Sequence, residues 1–553
     1  MTTRLRPAEA LLHILRDEGV DKVFGNPGTS ELPFLDSLVD TPDIEYVLGV
    51  HEGPLVAMAD GYARATGRCS FVSLHIAAGL ANGLIGLLNA SRSRTPMVVT
   101  AGQQDRRHLV QDPMLSGDLT AIARAGVKHV FEVHRAEDLP LILRRAFSLA
   151  TQAPAGPVFL SLPMDLLQED VLVDVPGRSH REPLGAASGV GRAARLLAEA
   201  RAPVIIAGDG VGRDGAVDAL VGLAETVGAT VYHQPMHDGL NFPMPHPLHA
   251  GMLPAVNERI RELLDPHDVV CVIGCHAFMA HHYSPGPAVP EAAKVVQIDP
   301  DPAEIGRNFP VSAGLVGGIA PTLTALSKAL SGRVSEARDR ISTAADSNRA
   351  RHASVERAAR KARGPAPMDP LAAVHAVAQG LPDNAVVLEE AITSGLRLRS
   401  VLRLDTPGSF RHTVGGGLGW GIGASVGLAL GDPRRPVVAV LGDGCALFGL
   451  QGLWSVARSG VAVTLVVMNN GEYRTLKDTL DSWDSRSTSA GYVGLDLGSP
   501  PLDFGKAGAF FGVESARARD TEELTELVAR GCASGAPLLI DVPITGHTSK
   551  EAV

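Results

Sequence analysis

Short apolar runs rich in β-branched residues alternate along the whole chain with longer stretches rich in alanine and leucine. The apolar runs include DKVFG, CSFVSLH and GPVFLSLP near the start, and PVVAVLGDG and AVTLVVMNN near the end. Strands that alternate with helical segments in this way form parallel sheets covered by helices. The sequence therefore predicts an α/β protein built from doubly wound parallel sheets.

The chain is too long for one hydrophobic core. It has 553 residues, whereas single cores stop growing at roughly 250–300 residues. Two segments interrupt the alternation: one rich in Pro, Gly and charge at 174–190, and a connector at 364–367 that follows an Ala/Arg-rich stretch. We predict three domains, which span residues 1–175, 190–335 and 368–553.

Composition excludes several classes of partner. The formal net charge is −10, with 50 Lys and Arg against 60 Asp and Glu, which argues against a nucleic-acid-binding face. The five cysteines are scattered and odd in number, as expected for reduced thiols. The uncharged stretch 413–430 carries seven glycines, which disfavours a membrane span. We expect a cytoplasmic protein that binds neither nucleic acid nor membranes.

Two polar motifs each follow directly on a strongly apolar run. Gly442-Asp443-Gly444 follows PVVAVL, and Asn469-Asn470-Gly471 follows AVTLVVM. The carboxyl ends of parallel strands meet at one edge of a sheet, so neighbouring strands would bring a carboxylate and an amide oxygen together. Oxygen ligands of this kind suit Mg²⁺, which usually completes its shell with phosphates and water. Asp443 and Asn470 are the predicted metal ligands.

The same region is suited to a diphosphate group. Gly444 has no side chain to keep phosphate from its backbone N–H, and Cys445 directly precedes Ala446, near which a helix should begin. Thr393 and Ser394, after the run NAVVLEE, and the hydroxyl of Tyr473 are further candidate contacts. We therefore predict a diphosphate-bearing cofactor at this site.

The motif pair resembles the GDG and NN pattern of thiamine-diphosphate enzymes. Glu52, in VLGVHEGPLVAMADG, looks like the family's catalytic glutamate, which lies against N1′ of the aminopyrimidine ring. Leu418, in TVGGGLGW, matches the apolar residue that bends the cofactor, and the Gly416 carbonyl would accept a hydrogen bond from its 4′-amino group. Glu472 would give the metal its backbone carbonyl. The resemblance implies thiamine diphosphate and Mg²⁺ as cofactors.

Within that family the chain resembles the 2-keto acid decarboxylases, and among them the benzoylformate decarboxylases. The segments GNPGTSELPFL, SLHIAAGLANG and TPMVVTAGQQ carry the likeness, which extends over nearly the whole chain. It implies that His75 and His281 are active-site histidines and that Thr29 meets the substrate carboxylate. Imidazoles of near-neutral pKa can protonate the carbanion that is left when CO₂ departs. They can then remove the proton of the alcohol, which releases the aldehyde.

The resemblance implies a lyase that decarboxylates a 2-keto acid non-oxidatively to an aldehyde. Carboligation would follow where a second aldehyde takes the place of the proton. His412 and Thr479 stand where the benzoylformate enzymes carry aromatic residues, and Arg474 and Lys477 could face an anionic substrate or solvent. The side chain of the substrate stays open.

The resemblance also implies an oligomer. In this family the pyrimidine-binding domain of one subunit faces the diphosphate-binding domain of another. Glu52 and Asp443 of one site would then come from different chains. We expect a homodimer at minimum, and a homotetramer.

Five alternatives compete with this interpretation. DPDPAEIGRN echoes the acetolactate synthases, which are carboligases, and another thiamine-diphosphate lyase activity is also open. An inactive relative could act as a regulatory or binding subunit. Gly210-Val-Gly212-Arg-Asp-Gly215 suggests NAD or FAD, although no acidic ribose ligand follows it. A zinc site lacks a recognised ligand spacing, and its candidate ligands are Cys271, Cys275, His276, His281 and His282.

Overall fold

The computed structural model describes residues 3–279 and 283–546. It contains three six-stranded sheets with flanking helices. The predicted class is confirmed, since the chain forms three α/β domains with doubly wound parallel sheets. The domain boundaries given above stay predictions.

The first sheet is parallel throughout. Its central strands are buried along their whole length, because helices cover both faces of a parallel sheet. In sheet order its strands are Glu45–Leu48, Lys22–Gly25, Ser70–Leu74, Met97–Gln103, Pro157–Pro163 and His129–Glu132. A separate antiparallel pair joins Thr3–Leu5 to Val173–Val175.

The central sheet is also parallel. In sheet order its strands are His249–Met252, Thr230–His233, Pro203–Ala207, Val269–Ile273, Lys294–Asp299 and Ala313–Val316.

The third sheet has five strands whose pairings with one another are all parallel. In sheet order they are Val386–Glu390, Val437–Gly442, Val463–Asn469, Leu538–Pro543 and Glu514–Arg517. A further short strand spans Phe410–His412.

Helices connect these strands. Those before residue 180 are Pro7–Asp17, Leu32–Leu38, Glu52–Thr66, Ile76–Arg92, Leu119–Ala123 and Leu139–Thr151. Those between 180 and 362 are Val190–Ala198, Asp209–Arg213, Val217–Val227, Asn257–Leu264, Ile319–Leu330 and Ala337–Lys361. The later ones are Pro370–Gln379, Ile392–Val401, Trp420–Gly431, Asp443–Phe448, Gly452–Ser459, Arg474–Ser482, Arg486–Ala490, Phe504–Phe511 and Thr521–Ser534. In the described part of the chain, none of them is both long and apolar enough to span a membrane.

The described residues form two compact units. The first unit contains residues 3–180, 363–396 and 413–546, and therefore the first sheet and the five parallel strands of the third. The second contains the central sheet and comprises residues 181–279, 283–362 and 397–412.

Two helices of the first unit, Glu52–Thr66 and Trp420–Gly431, pack with their backbones in contact. A Cβ atom added at Gly423 would collide with the carbonyl oxygen of Pro54, and one at Gly427 with that of Met58. These contacts advance in the same direction along both helices, so the helices run parallel. Glycine is required because any side chain would push the two backbones apart.

We expect Gly427→Ala to lower the thermal unfolding midpoint by several degrees. Alanine in a helix is normally about 1 kcal/mol more favourable than glycine. At Gly427 its Cβ would also lie 2.7 Å from the backbone nitrogen of Tyr62, and such overpacking costs about 1–3 kcal/mol. Calorimetry of Gly222→Ala is the matched control, because that helical glycine has open space around it. A Gly427→Ala protein that melts at or above the wild-type temperature would contradict the prediction.

Candidate active site

Asp443 and Asn470 follow two neighbouring parallel strands of the third sheet. Val437–Gly442 pairs with Val463–Asn469, with Gly442 opposite Met468. Both polar residues therefore lie at the same edge of the sheet, as strand-end geometry requires.

The Asp443 carboxylate is buried and held by backbone N–H groups. It is 4% exposed; Oδ1 accepts from the N–H of Gly444 at 2.7 Å, and Oδ2 accepts from those of Asn470 and Gly471 at 3.1 and 2.7 Å. Burial raises its pKa, although these hydrogen bonds oppose the rise. A divalent cation would favour the charged form, so the site fits a metal bound through Asp443, the Asn470 amide oxygen and a backbone carbonyl.

One cavity gathers most of the predicted cofactor contacts. The first turn of the helix Ile392–Val401 lines it, and backbone N–H groups at such a helix start attract phosphate. The predicted residues in its lining are Thr393, Ser394, Leu418, Asp443, Gly444, Cys445, Asn470, Glu472 and Tyr473. Gly416, with φ of 75°, lies in the loop before Leu418 and outside this lining.

Asn89, which the sequence analysis did not identify, holds the glycine-rich loop. Its Nδ2 donates to the Gly417 carbonyl at 2.8 Å, and its Oδ1 accepts from the Gly417 N–H at 3.0 Å. A Cβ atom at Gly417 would lie 2.7 Å from Ile85 Cγ1. This pair of hydrogen bonds fixes the backbone directly before Leu418.

Glu390 holds the end of the same loop and the start of the helix Trp420–Gly431. Its carboxylate accepts hydrogen bonds from the N–H groups of Gly419, Trp420 and Gly421 at 2.8, 3.1 and 2.8 Å. Burial raises the pKa of Glu390 to about 8, against the effect of these hydrogen bonds. The sequence signal was the acidic pair that ends the apolar strand Val386–Glu390.

We expect Glu390 to make stability fall as pH rises. Because its folded-state pKa of about 8 lies above its usual value of 4.5, the folded protein binds the extra proton between those values. The free energy of unfolding should therefore fall from about pH 5 to about pH 8, by up to about 1.4 kcal/mol per pH unit. Guanidinium unfolding of Glu390→Gln should show a shallower pH dependence than wild type, whereas the exposed Glu514→Gln should match wild type. Equal slopes for wild type and Glu390→Gln would disprove this assignment.

Glu52 begins the helix Glu52–Thr66 and is 6% exposed. Its Oε1 accepts from Asn26 Nδ2 at 2.9 Å, and its Oε2 accepts from Asn82 Nδ2 at 3.1 Å. The sequence analysis identified neither asparagine. Glu52 does not belong to the described lining of the Asp443 cavity.

His75 is oriented by a buried carboxylate. Its Nδ1 lies 2.9 Å from Glu31 Oε2 and 3.0 Å from Ser30 Oγ. Glu31, 4% exposed, also accepts from the N–H groups of Gly28 and Gly102. Because a carboxylate only accepts hydrogen bonds, Nδ1 carries the proton and Nε2 stays available for proton transfer.

Thr29 and His281 are the two remaining predicted residues. Thr29 is exposed and begins the short turn that also contains Ser30 and Glu31. Ile76, directly after His75, has φ of 45°, which is uncommon for a β-branched residue and typical of strained functional sites. His281 lies outside the described residues.

Arg474 and Lys477 are engaged in ion pairs. Arg474 is buried and pairs with Asp478 at 2.7 Å and Asp481 at 3.0 Å, and Lys477 pairs with the carboxylate of Glu472. Both positive charges are thus compensated within the segment. Of the two expected wall residues, Thr479 donates its hydroxyl to the Thr475 carbonyl at 2.9 Å, and His412 is buried at the end of Phe410–His412.

Of the glycines that suggested a dinucleotide site, Gly210 packs against backbone of the second unit, whereas Gly212 and Gly215 are exposed. A Cβ atom at Gly210 would lie 2.7 Å from Gly274 Cα. The neighbouring Asp209 accepts hydrogen bonds from Gln234 Nε2 at 2.5 Å and Asn241 Nδ2 at 2.8 Å. Within residues 3–279 and 283–546, no three His, Cys, Asp or Glu side chains are grouped to hold a metal ion.

Comparisons with known proteins match all three parts of the chain. Three models match: the thiamine pyrophosphate enzyme N-terminal TPP-binding domain at residues 5–122, the central domain at 190–326 and the C-terminal TPP-binding domain at 394–542. Thiamine pyrophosphate is another name for thiamine diphosphate.

Relatives match along their full length. A benzoylformate decarboxylase from Pseudomonas aeruginosa is 34% identical, over 97% of this chain and 98% of its own. A probable acetolactate synthase large subunit from Methanocaldococcus jannaschii is 29% identical, over 98% and 92%. The structure of a thiamine diphosphate-dependent 4-hydroxybenzoylformate decarboxylase from Rhodococcus jostii superimposes with a TM-score of 0.85 at 31% identity, over 99% and 100% of the two chains. The chain belongs to the thiamine pyrophosphate enzyme family.

Proposed function

We propose that the protein is a thiamine-diphosphate- and Mg²⁺-dependent lyase that decarboxylates a 2-keto acid to an aldehyde. The observation that carries the proposal is the grouping of Asp443, Asn470, Leu418 and Thr393 around one cavity at the edge of the third sheet. When bound, the cofactor supplies an electron sink for the pair of electrons that CO₂ leaves behind.

Each predicted binding residue has a defined task in this proposal. Asp443, Asn470 and the carbonyl of Glu472 hold Mg²⁺, while Thr393, Ser394, Gly444 and Cys445 contact the diphosphate. Leu418 would give the cofactor an apolar contact, and Tyr473 would add a hydroxyl at the cavity wall. The fit rests on a buried carboxylate whose pKa is raised by burial and would fall beside a cation.

Proton transfer falls to Glu52, His75 and His281. Glu52 is buried and held by two amides, so it can exchange a proton with the aminopyrimidine ring through an oxygen of fixed position. His75 has Nε2 free for the substrate side because Glu31 holds Nδ1. His281 is proposed as the second histidine and Thr29 as the contact to the substrate carboxylate.

We also propose that two chains complete each site, in a homodimer and further in a homotetramer. The described residues of the Asp443 cavity all lie between 391 and 544, so Glu52 and His75 would reach it from a second copy.

Five free cysteines support a cytoplasmic location.

Mixing two inactive variants tests the shared site. Glu52→Gln and Asp443→Asn, dissociated and reassociated at equal amounts, should recover about a quarter of wild-type activity. Half of the random pairs are hybrids, and each hybrid has one intact site of two. A mixture that stays inactive would place both residues of a site on one chain.

The ion pairs of Arg474 and Lys477 favour a substrate with an uncharged side chain. CO₂ release from aryl, aliphatic and dicarboxylic 2-keto acids should therefore be fastest with an aryl or aliphatic one. Preference for a dicarboxylic acid would contradict this part of the proposal.

Carboligation is the second candidate function, because acetolactate synthases are among the relatives. Product analysis separates the two, since a carboligase yields a hydroxyketone or hydroxy acid where a decarboxylase yields aldehyde. Bound flavin in the visible spectrum would favour the acetolactate synthase interpretation. An inactive regulatory subunit would release no CO₂ from any acid although saturated with cofactor.

A further inference from the structure

A large cavity lies in the second unit, beside the central sheet. The helix Ala337–Lys361 forms one wall, and the first residues of the strands Pro203–Ala207 and Thr230–His233 form another. Its volume is about 550 Å³, within the range of roughly 300–1,000 Å³ typical of small-molecule sites. The cavity lies at the amino ends of these strands, whereas nucleotides in such sheets bind at the carboxyl ends.

Arg351 lines this cavity without a charged partner. Its guanidinium donates to Asn348 Oδ1 at 2.6 Å and to the His249 carbonyl at 3.3 Å, and lies 3.4 Å from His352 Nε2. All three partners are uncharged, and no carboxylate in the described part of the chain forms an ion pair with Arg351. Arg351 is half-buried, and a charged group withdrawn from water is normally paired with an opposite charge.

The surroundings of Arg351 are also positive. Burial, together with the charge of Arg351, lowers the pKa of Arg403 to about 10. Arg201 and Arg340 line the same cavity, and the Arg340 guanidinium binds the Val227 carbonyl at 2.7 Å. Arg340 also pairs with Glu336 at 3.4 Å. The described lining itself includes a single acidic side chain, Asp339.

Neutral hydroxyl groups complete the lining. Tyr232 approaches from the sheet, and Thr343 and Ser347 approach from the helix Ala337–Lys361. Asn348 is 6% exposed, and its Nδ2 donates to the His246 carbonyl at 3.0 Å. This hydrogen bond turns Oδ1 toward Arg351 and so fixes the direction of the guanidinium.

We propose that this cavity binds a small organic anion whose carboxylate or phosphate group pairs with Arg351. The planar guanidinium offers two parallel N–H donors to either group. The hydroxyls of Tyr232, Thr343 and Ser347 contact the rest of the molecule. Such a ligand joins the helix Ala337–Lys361 to the edge of the central sheet and therefore stabilises the second unit by mass action.

Calorimetry of the full-length protein, saturated with thiamine diphosphate and Mg²⁺, tests the proposal. The probes are succinate, inorganic phosphate and AMP, each compared with sodium chloride at equal ionic strength. At least one should raise the unfolding temperature saturably: succinate alone identifies a carboxylate site, and phosphate or AMP a phosphate site. No saturable rise with any of the three would overturn the proposal.

Two variants, with Arg349→Met as their control, locate the effect. Arg351→Met should raise the apparent Kd about tenfold or more, while Arg349→Met, an exposed arginine on the same helix that pairs with Asp346, should bind as wild type does. Ser347→Glu places a carboxylate one helical turn before Arg351. It should raise the unfolding temperature without any probe and abolish the response to the probes. An unchanged response in Arg351→Met, or in Ser347→Glu should the former not fold, would contradict the assignment.

Discussion

Replacing Glu52 with glutamine is expected to lower the rate of CO₂ release by about 10²–10⁴-fold, the range for loss of a positioned acid–base group. Thiamine diphosphate and Mg²⁺ should stay bound, because their predicted contacts lie around Asp443. The measurement is the turnover rate of cofactor-saturated protein, together with its cofactor content after gel filtration.

The hydrogen bonds around Glu52 explain why replacing one carboxylate oxygen by an NH₂ group should be enough to lower the rate. Each carboxylate oxygen of Glu52 accepts a hydrogen bond from an asparagine amide, Oε1 from Asn26 and Oε2 from Asn82. Glutamine has one acceptor oxygen, so its NH₂ group would face one of these donors. The variant therefore loses both the exchangeable proton and one hydrogen bond, the latter at about 1 kcal/mol.

Glu45→Gln is the matched control. Glu45 is exposed, lies seven positions before Glu52 and pairs with Lys22 on the surface. The Glu45→Gln protein should therefore have wild-type activity. A Glu52→Gln enzyme with full turnover would remove Glu52 from the chemistry.

The parts of the site that the sequence could predict are those fixed by local structure. Asp443 and Asn470 each follow an apolar strand, and parallel strands bring their carboxyl ends together wherever they are neighbours. The α/β class follows from the same alternation. For these features the periodicity of the chain is sufficient.

The remaining features depend on contacts between distant segments. Asn89 bonds to Gly417 across 328 positions, and no local pattern distinguishes it from any other helical asparagine. The same is true of Asn26 and Asn82 around Glu52. Arg351 is one of many arginines in its segment, and only the fold shows that it lines a cavity and that no carboxylate of the described residues pairs with it.

Asp443→Asn is expected to weaken binding of Mg²⁺ and thiamine diphosphate by about 10²-fold or more, since even residues that only support a metal ligand contribute about 10–100-fold. The wild-type carboxylate accepts three backbone N–H groups, one at Oδ1 and two at Oδ2. In asparagine the NH₂ group would face at least one of these donors, and the negative charge that attracts the cation is lost.

The change in unfolding temperature on addition of Mg²⁺ and cofactor measures this effect, because a ligand that binds only the folded state stabilises it by mass action. Wild type should gain stability as the two are added, and Asp443→Asn should gain none at the same concentrations. Without cofactor the variant should be about as stable as wild type, because it no longer buries a charge whose pKa is raised by desolvation. Asp432→Asn, which alters only a surface pair with Arg434, should respond as wild type does. An Asp443→Asn protein with the wild-type response would show that the cation binds elsewhere.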